Sequence, residues 1–326
     1  MSANSKPQAS SRIKPYLAGI GSSAIFGFSF MFTKGALDKL DAWRLIGFRF
    51  LLASLVISLL IATRLLKVDL ALIPGRSKGK DWRPLLWVAL LQPIACFLFE
   101  TFGVSLTTSS QAGMLIALIP ILVIILSAIF LGERPSWQQS TFIVLSVAGV
   151  MFIAWQQSAT ADAANWLGLA LIMGAVIAAA FFNIGSRRAS AQFTPVEVTC
   201  VMMWVGAIVF NLLAVLVHWR AGSLATFFTP LADPQVIGAL LYLGIGSSVL
   251  AFLLVNYSLS HLPASQSAVF SNLTTVVSIG AGVVFRNEPF YWFHAVGAVA
   301  ILVGVWGANY FGTDRTLGRG DVHLDQ

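Results

Sequence analysis

The sequence predicts an all-α integral membrane protein of ten transmembrane helices, arranged as two inverted five-helix repeats with both termini cytoplasmic. Three observations carry that prediction. The chain is 57% hydrophobic and only 10% charged, with a mean hydropathy of +0.83, whereas soluble domains are about 45–50% apolar and about 25% charged. Its apolar residues gather into runs of about 20, the length that crosses a bilayer core. The chain also writes one punctuation twice. "IFLGERPSW" closes a run at Ile129 to Trp137 and "VVFRNEPFYW" closes another at Val283 to Trp292, which sets Glu133 and Glu288 155 residues apart.

Taken in order, a polar tail over 1–15 carries Lys6, Arg12 and Lys14. The apolar run behind it is full length and no small-residue cleavage site follows, so an uncleaved first span is expected. The spans are placed at 16–33, 42–63, 84–106, 111–131 and 136–155 in a first repeat (16–155), and at 166–186, 196–217, 234–260, 264–285 and 290–311 in a second (166–311). A short periplasmic linker, 156–165, joins them, and 312–326 forms a cytoplasmic tail. Basic residues collect on the cytoplasmic side of membrane proteins. Fourteen of the 20 Lys and Arg fall in the tails and loops that share a side with the N-terminus, among them Arg64, Arg83, Arg134, Arg187 and Arg188. Trp43, Trp82, Trp137, Trp166, Trp219 and Trp292 stand near span ends, where indole rings anchor at the interface.

A constant shift of 155 lays Phe97 on Phe252, Leu98 on Leu253, Ser105 on Ser260, Ser110 and Gln111 on Ser265 and Gln266, Phe130 on Phe285, Glu133 on Glu288 and Gly149 on Gly304. Five spans per repeat is an odd number, so the second copy enters the membrane from the opposite side. Inverted repeats of this kind support alternating access in many secondary transporters.

The net charge of +7 does not point to nucleic acid in so apolar a chain. Cys96 and Cys200 lie inside apolar runs and read as buried thiols. "PGRSKGKDW" lacks the spacing of a phosphate loop, which argues against direct ATP-driven pumping by this chain, and no ATPase partner is implied. The four histidines, His218, His261, His294 and His323, form no metal constellation, and no nucleophile elbow is present. No metal or other cofactor is therefore expected. A membrane-embedded enzyme or a channel is the weaker class: neither clustered acid–base groups nor a ring of like charge is visible.

"AIFGFSFMFTKGAL" (Ala24 to Leu37), "GFRFLLAS" (Gly47 to Ser54), "SSQAGMLIALIPILVIILSAIFLGERPSWQQ" (Ser109 to Gln139) and "AAFFNIGSRRASAQFTPVEV" (Ala179 to Val198) resemble the EamA-type branch of the drug/metabolite transporter superfamily. The resemblance runs from Ala18 to Phe311. It implies a secondary exporter of the bacterial inner membrane with a central cavity between the halves. The cargo implied is a small metabolite, amino acids first (aromatic or other apolar ones, methionine, threonine), with nucleosides or cationic drugs as the alternative. "FRNEP" departs from the pattern kept by "LGERP", because Asn287 stands where the turn glycine would be.

Interrupted stretches at matching places in two repeats point to a transporter's binding region, because broken helices expose backbone groups to cargo. The shift lays Gln92-Pro93 on Ser247-Ser248, just after Gly244 and Gly246. Pro93 and Pro120 should each free a carbonyl one turn earlier. Ionisable groups inside the membrane cost about 2.5–3.5 kcal/mol each at a helix centre. Arg49 and Glu100 stand about 10 Å and about 9 Å deep by helical rise, and are expected to pair or to meet the two charges of a zwitterion. Glu100 is the candidate proton-coupling group. Asn183 and Asn272 are candidate cavity residues, as are Phe28, from the phenylalanine-rich first span, and Trp204. Ala300, Gly304 and Ala308 form a small-residue face suited to close contact, with the fifth span or with another subunit.

Overall fold

The structure is a computed structural model that describes residues 9–68, 81–106, 115–116, 118–133, 135–158, 166–286 and 290–312. Glu288, Asn287, Arg134, Ser110 and Gln111 lie outside the described residues, as do 1–8, 313–326 and most of the linker and of the Arg64 to Arg83 loop.

Helices begin where the sequence caps them. After α1 (Ala9–Leu37), Asp41 opens α2 (Ala42–Ala62) by accepting the Arg44 backbone N–H at 3.1 Å. The third run breaks into α3 (Arg83–Ala89), a π-helical segment π1 (Leu90–Ala95) and α4 (Cys96–Leu106). Next come α5 (Ile119–Phe130), α6 (Trp137–Ser158) and α7 (Trp166–Ala189). Pro195 stands in the first turn of α8 (Pro195–Arg220), and a reciprocal Thr194–Glu197 capping box satisfies two further N–H groups. Asp233 caps α9 (Pro234–Leu241) by accepting the Gln235 N–H at 2.8 Å, with Pro234 in the first turn, and α9 runs into a second π-helical segment, π2 (Tyr242–Leu250), and α10 (Ala251–His261). α11 (Ala264–Val269), α12 (Leu273–Arg286) and α13 (Trp292–Tyr310) complete the chain.

Every regular element among the described residues is helical. Among the described residues, eight helices are long and apolar enough to cross a membrane, and two shorter apolar helices, Ile119–Phe130 and Trp137–Ile153, fall in the two remaining predicted runs. Pro120 stands in the first turn of α5, where an N–H has no intrahelical partner to lose.

The two halves interlock reciprocally. α1 lies against α10 and α12 of the second half, and α7 lies against α4 and α5 of the first. Likewise α2 touches π2 while α8 touches π1, and α2 packs along α8. The largest core cluster, including Phe50, Phe97, Val123, Phe182, Met202, Phe210 and Phe252, therefore draws on both halves. The small-residue face of the last helix meets the fifth predicted span: α13 packs on α6, and a Cβ at Gly304 would stand 2.6 Å from the Phe142 carbonyl oxygen and the Ser146 nitrogen.

Candidate functional site

Two π-helical segments frame the site, and one of them is broken. A residue before proline is driven out of the helical region by the pyrrolidine ring, and Gln92 accordingly sits at φ −137°, ψ 113° inside π1. In π2 the weak point is Gly244-Ile245-Gly246, since glycine favours the helix least after proline. Glycine also admits α2 there, because a Cβ at Gly244 would lie 2.8 Å from Leu52. The two segments end at Ala95 and Leu250, positions that the 155-residue shift superposes.

Between them lies Arg49 of α2, 6% exposed. A bare guanidinium in an apolar interior is costly, and this one is supplied with acceptors from the other half. Its Nε donates to Ser248 Oγ at 2.7 Å and its Nη2 to Ser247 Oγ at 2.8 Å. Both serines are fully buried. The guanidinium carbon lies 4.7 Å from the Phe97 ring centroid and 5.8 Å from that of Phe50, and a cation over a desolvated ring face contributes about 2 kcal/mol. Phe97 packs on Phe50 at 5.1 Å and on Phe252 at 6.4 Å between centroids.

Glu100 follows Phe97 by one turn of α4 and is partly buried. Its charge and that of Arg49 are within electrostatic reach, yet among the described residues no ion pair within 4.0 Å joins them. The arrangement holds a cation against an aromatic wall, with a carboxyl group one turn along α4 from Phe97.

Of the predicted residues, the structure gathers Arg49 and Ser247, with Gln92 in the matched break and Glu100 within reach. The others have separate partners. Asn183 donates to Ala179 O in its own helix at 2.8 Å, and Trp204 is exposed, its Nε1 donating to Ser58 Oγ at 2.9 Å. Asn272 donates to Ser146 Oγ at 3.0 Å, tying the start of α12 to α6, and Phe28 meets Phe285 edge-on at 5.9 Å. Ser248, Phe50, Phe97 and Phe252 join the site without having been singled out as cavity residues. The repeat match of Phe97 with Phe252 was the signal available for two of them.

Two further clusters join elements. Glu133 Oε2 accepts the Ala264 N–H at 2.8 Å and its Oε1 faces Arg187 Nε at 3.4 Å, while Arg187 Nη1 donates to Leu259 O and Ser260 O at 3.2 and 3.0 Å. The glutamate of the first-half punctuation thus opens α11 in the second half. Asn256 links α7, α8 and α10, accepting from Ser186 Oγ at 2.7 Å and donating to Thr199 Oγ1 at 2.9 Å. Beyond the spans, Asp41 pairs with Arg44 and faces His218 Nε2 at 3.3 Å. Burial pushes its carboxyl up, but the side-chain and backbone hydrogen bonds from Arg44 and the nearby charges outweigh burial and hold it below the ordinary range.

Helices of bilayer length around a buried cation held between two halves define a multi-pass membrane protein. The chain belongs to the EamA-like transporter family, whose model matches residues 13–155 and again 166–310. It is similar to the Bacillus subtilis protein named "Uncharacterized transporter YcxC", 36% identical over 294 residues, 90% of this chain and 92% of that one. It is also similar to a "Probable terminal-alkyne amino-acid exporter" of Streptantibioticus cattleyicolor, 27% identical over 212 residues, 65% of this chain and 66% of that protein. One solved crystal structure shares the fold with a TM-score of 0.72 at 18% identity, over 93% of this chain and 98% of the other. The protein is a membrane transporter and not an enzyme.

Proposed function

We propose that this protein is a secondary exporter of small metabolites, amino acids first, in the bacterial inner membrane. Ten spans form two inverted halves, with both termini cytoplasmic, that alternate access to a cavity at Arg49. The observation that carries the reading is the buried Arg49 guanidinium over the Phe97 ring, with the carboxyl of Glu100 one turn further along the helix that bears Phe97. A zwitterion offers a carboxylate to one and an ammonium to the other, and the phenylalanines suit an apolar side chain. The amino-acid exporter among the relatives adds support, as does the resemblance of the whole sequence to the bacterial amino-acid exporter YddG. Glu100 is the group on which proton coupling would rest; facilitated uniport accommodates the same residues.

The test is uptake of labelled phenylalanine, methionine and threonine into proteoliposomes, with and without an imposed pH gradient. Saturable uptake is expected, with Arg49→Gln abolishing it and Glu100→Gln removing any response to the gradient. Absence of uptake by folded, inserted protein would reject amino acids and turn attention to nucleosides and cationic drugs. Uptake that persisted unchanged in both variants would reject the site.

A further inference from the structure

The Nε and Nη2 atoms of an arginine share one edge of the guanidinium, and their parallel N–H groups form the fork that receives both oxygens of a carboxylate. In Arg49 that edge is filled by two hydroxyl oxygens, Ser248 Oγ at 2.7 Å and Ser247 Oγ at 2.8 Å. The two serines are adjacent in π2 and each supplies one oxygen to the fork. We propose that Ser247 and Ser248 stand in for the cargo's carboxylate on Arg49, and that cargo takes the fork from them. This inference rests on the reading of amino acids as cargo.

The chemistry favours such an exchange. A carboxylate brings a full opposite charge as well as two parallel acceptors for the guanidinium fork, whereas the serine hydroxyls bring acceptors alone, so an incoming carboxylate displaces them. Without cargo, the hydroxyls keep a buried cation supplied with acceptors. An aspartate at either position would hold Arg49 in a permanent ion pair and shut the cargo out; an alanine would leave the guanidinium bare. Arg49 and the serines also belong to opposite halves, 198 and 199 residues apart in the chain. Exchange of partner therefore releases a tether between the halves when cargo binds and restores it when cargo leaves. The first half has no equivalent hydroxyl pair, since the shift puts Gln92 and Pro93 at the matching positions.

The roles separate in transport. During exchange the carrier crosses loaded in both directions, so the fork holds a carboxylate at every crossing. Net efflux requires return of the empty carrier, which needs the serines. With labelled phenylalanine in proteoliposomes, Ser247→Ala/Ser248→Ala should slow net efflux about tenfold more than it slows phenylalanine–phenylalanine exchange. Saturating phenylalanine should also return the variant's melting temperature to the parent's saturated value, while phenylalaninamide, which has no carboxylate, should not. Equal loss of exchange and net efflux, or a rescue equal for the acid and the amide, would overturn the inference and leave the cargo reading standing. Failure of the parent chain to exchange phenylalanine, methionine or threonine would overturn both.

Discussion

Phe97 and Phe252 occupy the same place in the two repeats and meet between the halves, ring centroids 6.4 Å apart. Their surroundings differ. Phe97 carries the Arg49 guanidinium at 4.7 Å, whereas Phe252 packs against Phe26 at 5.4 Å and Phe182 at 6.3 Å. The two rings should therefore respond differently to loss of the charge. A double-mutant cycle of Phe97→Leu with Arg49→Met, followed by unfolding in mild detergent, is expected to give a coupling of about 1–2 kcal/mol. The cycle of Phe252→Leu with Arg49→Met should give less than about 0.5 kcal/mol. Equal couplings would mean that ring packing, and not the cation over Phe97, sets the energetics of this wall.

Glu133 ties the halves at a second place, its two carboxylate oxygens divided between the Ala264 N–H and Arg187. A carboxylate accepting a backbone N–H at the start of a helix is a charge-assisted bond, and hydrogen bonds to charged groups contribute about 1.5–3 kcal/mol. Glu133→Ala is expected to speed amide exchange at Ala264 and Ser265 by about tenfold or more, with the interior of α10 unaffected. Glu133→Gln, which keeps an acceptor, should produce a smaller change. Unaltered exchange at Ala264 in the alanine variant would remove this bond from the account of how the halves are joined.

Much of this was legible because breaks in helices have local causes. Gln92-Pro93 and the Gly244 to Ser248 stretch both distort the helix where the sequence placed them, one through proline's effect on its neighbour and the other through glycine. The depth of Arg49 was legible too, since helical rise converts position into depth. Its direction was not. A helix that is apolar nearly all round gives no azimuth, so equal depth suggested contact between Arg49 and Glu100, while the guanidinium turns toward serines of the other half. Asn183 and Trp204 illustrate the same loss, one bonding within its helix and the other lying at the surface.

Acid should weaken the cap of α2. Burial raises the Asp41 carboxyl, but hydrogen bonds from Arg44 and the charges of Arg44 and His218 bring it below its unfolded value. A depressed folded pKa contributes stability that is fully present above the unfolded value, about 3.9, and is lost as pH falls through the folded one. Between pH 5 and pH 3 the melting temperature of the parent chain should therefore fall more than that of Asp41→Asn, which keeps a cap acceptor but does not ionise. The side chain is 36% exposed, so solvent screening limits the difference to about 1 kcal/mol or less. Parallel pH profiles for the two proteins would show that ionisation of Asp41 adds nothing to the cap.

The contact between α6 and α13 makes one substitution act with opposite signs at two glycines. At Gly304 a methyl group would stand 2.6 Å from the Phe142 carbonyl oxygen and the Ser146 nitrogen. These are backbone atoms that give way only if the helices part, and overpacking of this kind costs about 1–3 kcal/mol. At Gly280 in α12 an added Cβ meets nothing within 4 Å, so alanine there should stabilise the helix by about 0.5–1 kcal/mol. Gly304→Ala is therefore expected to lower the melting temperature in detergent and Gly280→Ala to raise it. Asn272 donates to the Ser146 hydroxyl of α6, and Ser146 is one of the residues that a methyl at Gly304 would strike, so the substitution should also disturb that joint. A Gly304→Ala protein that melted with the parent chain would mean that the two helices do not approach to backbone contact.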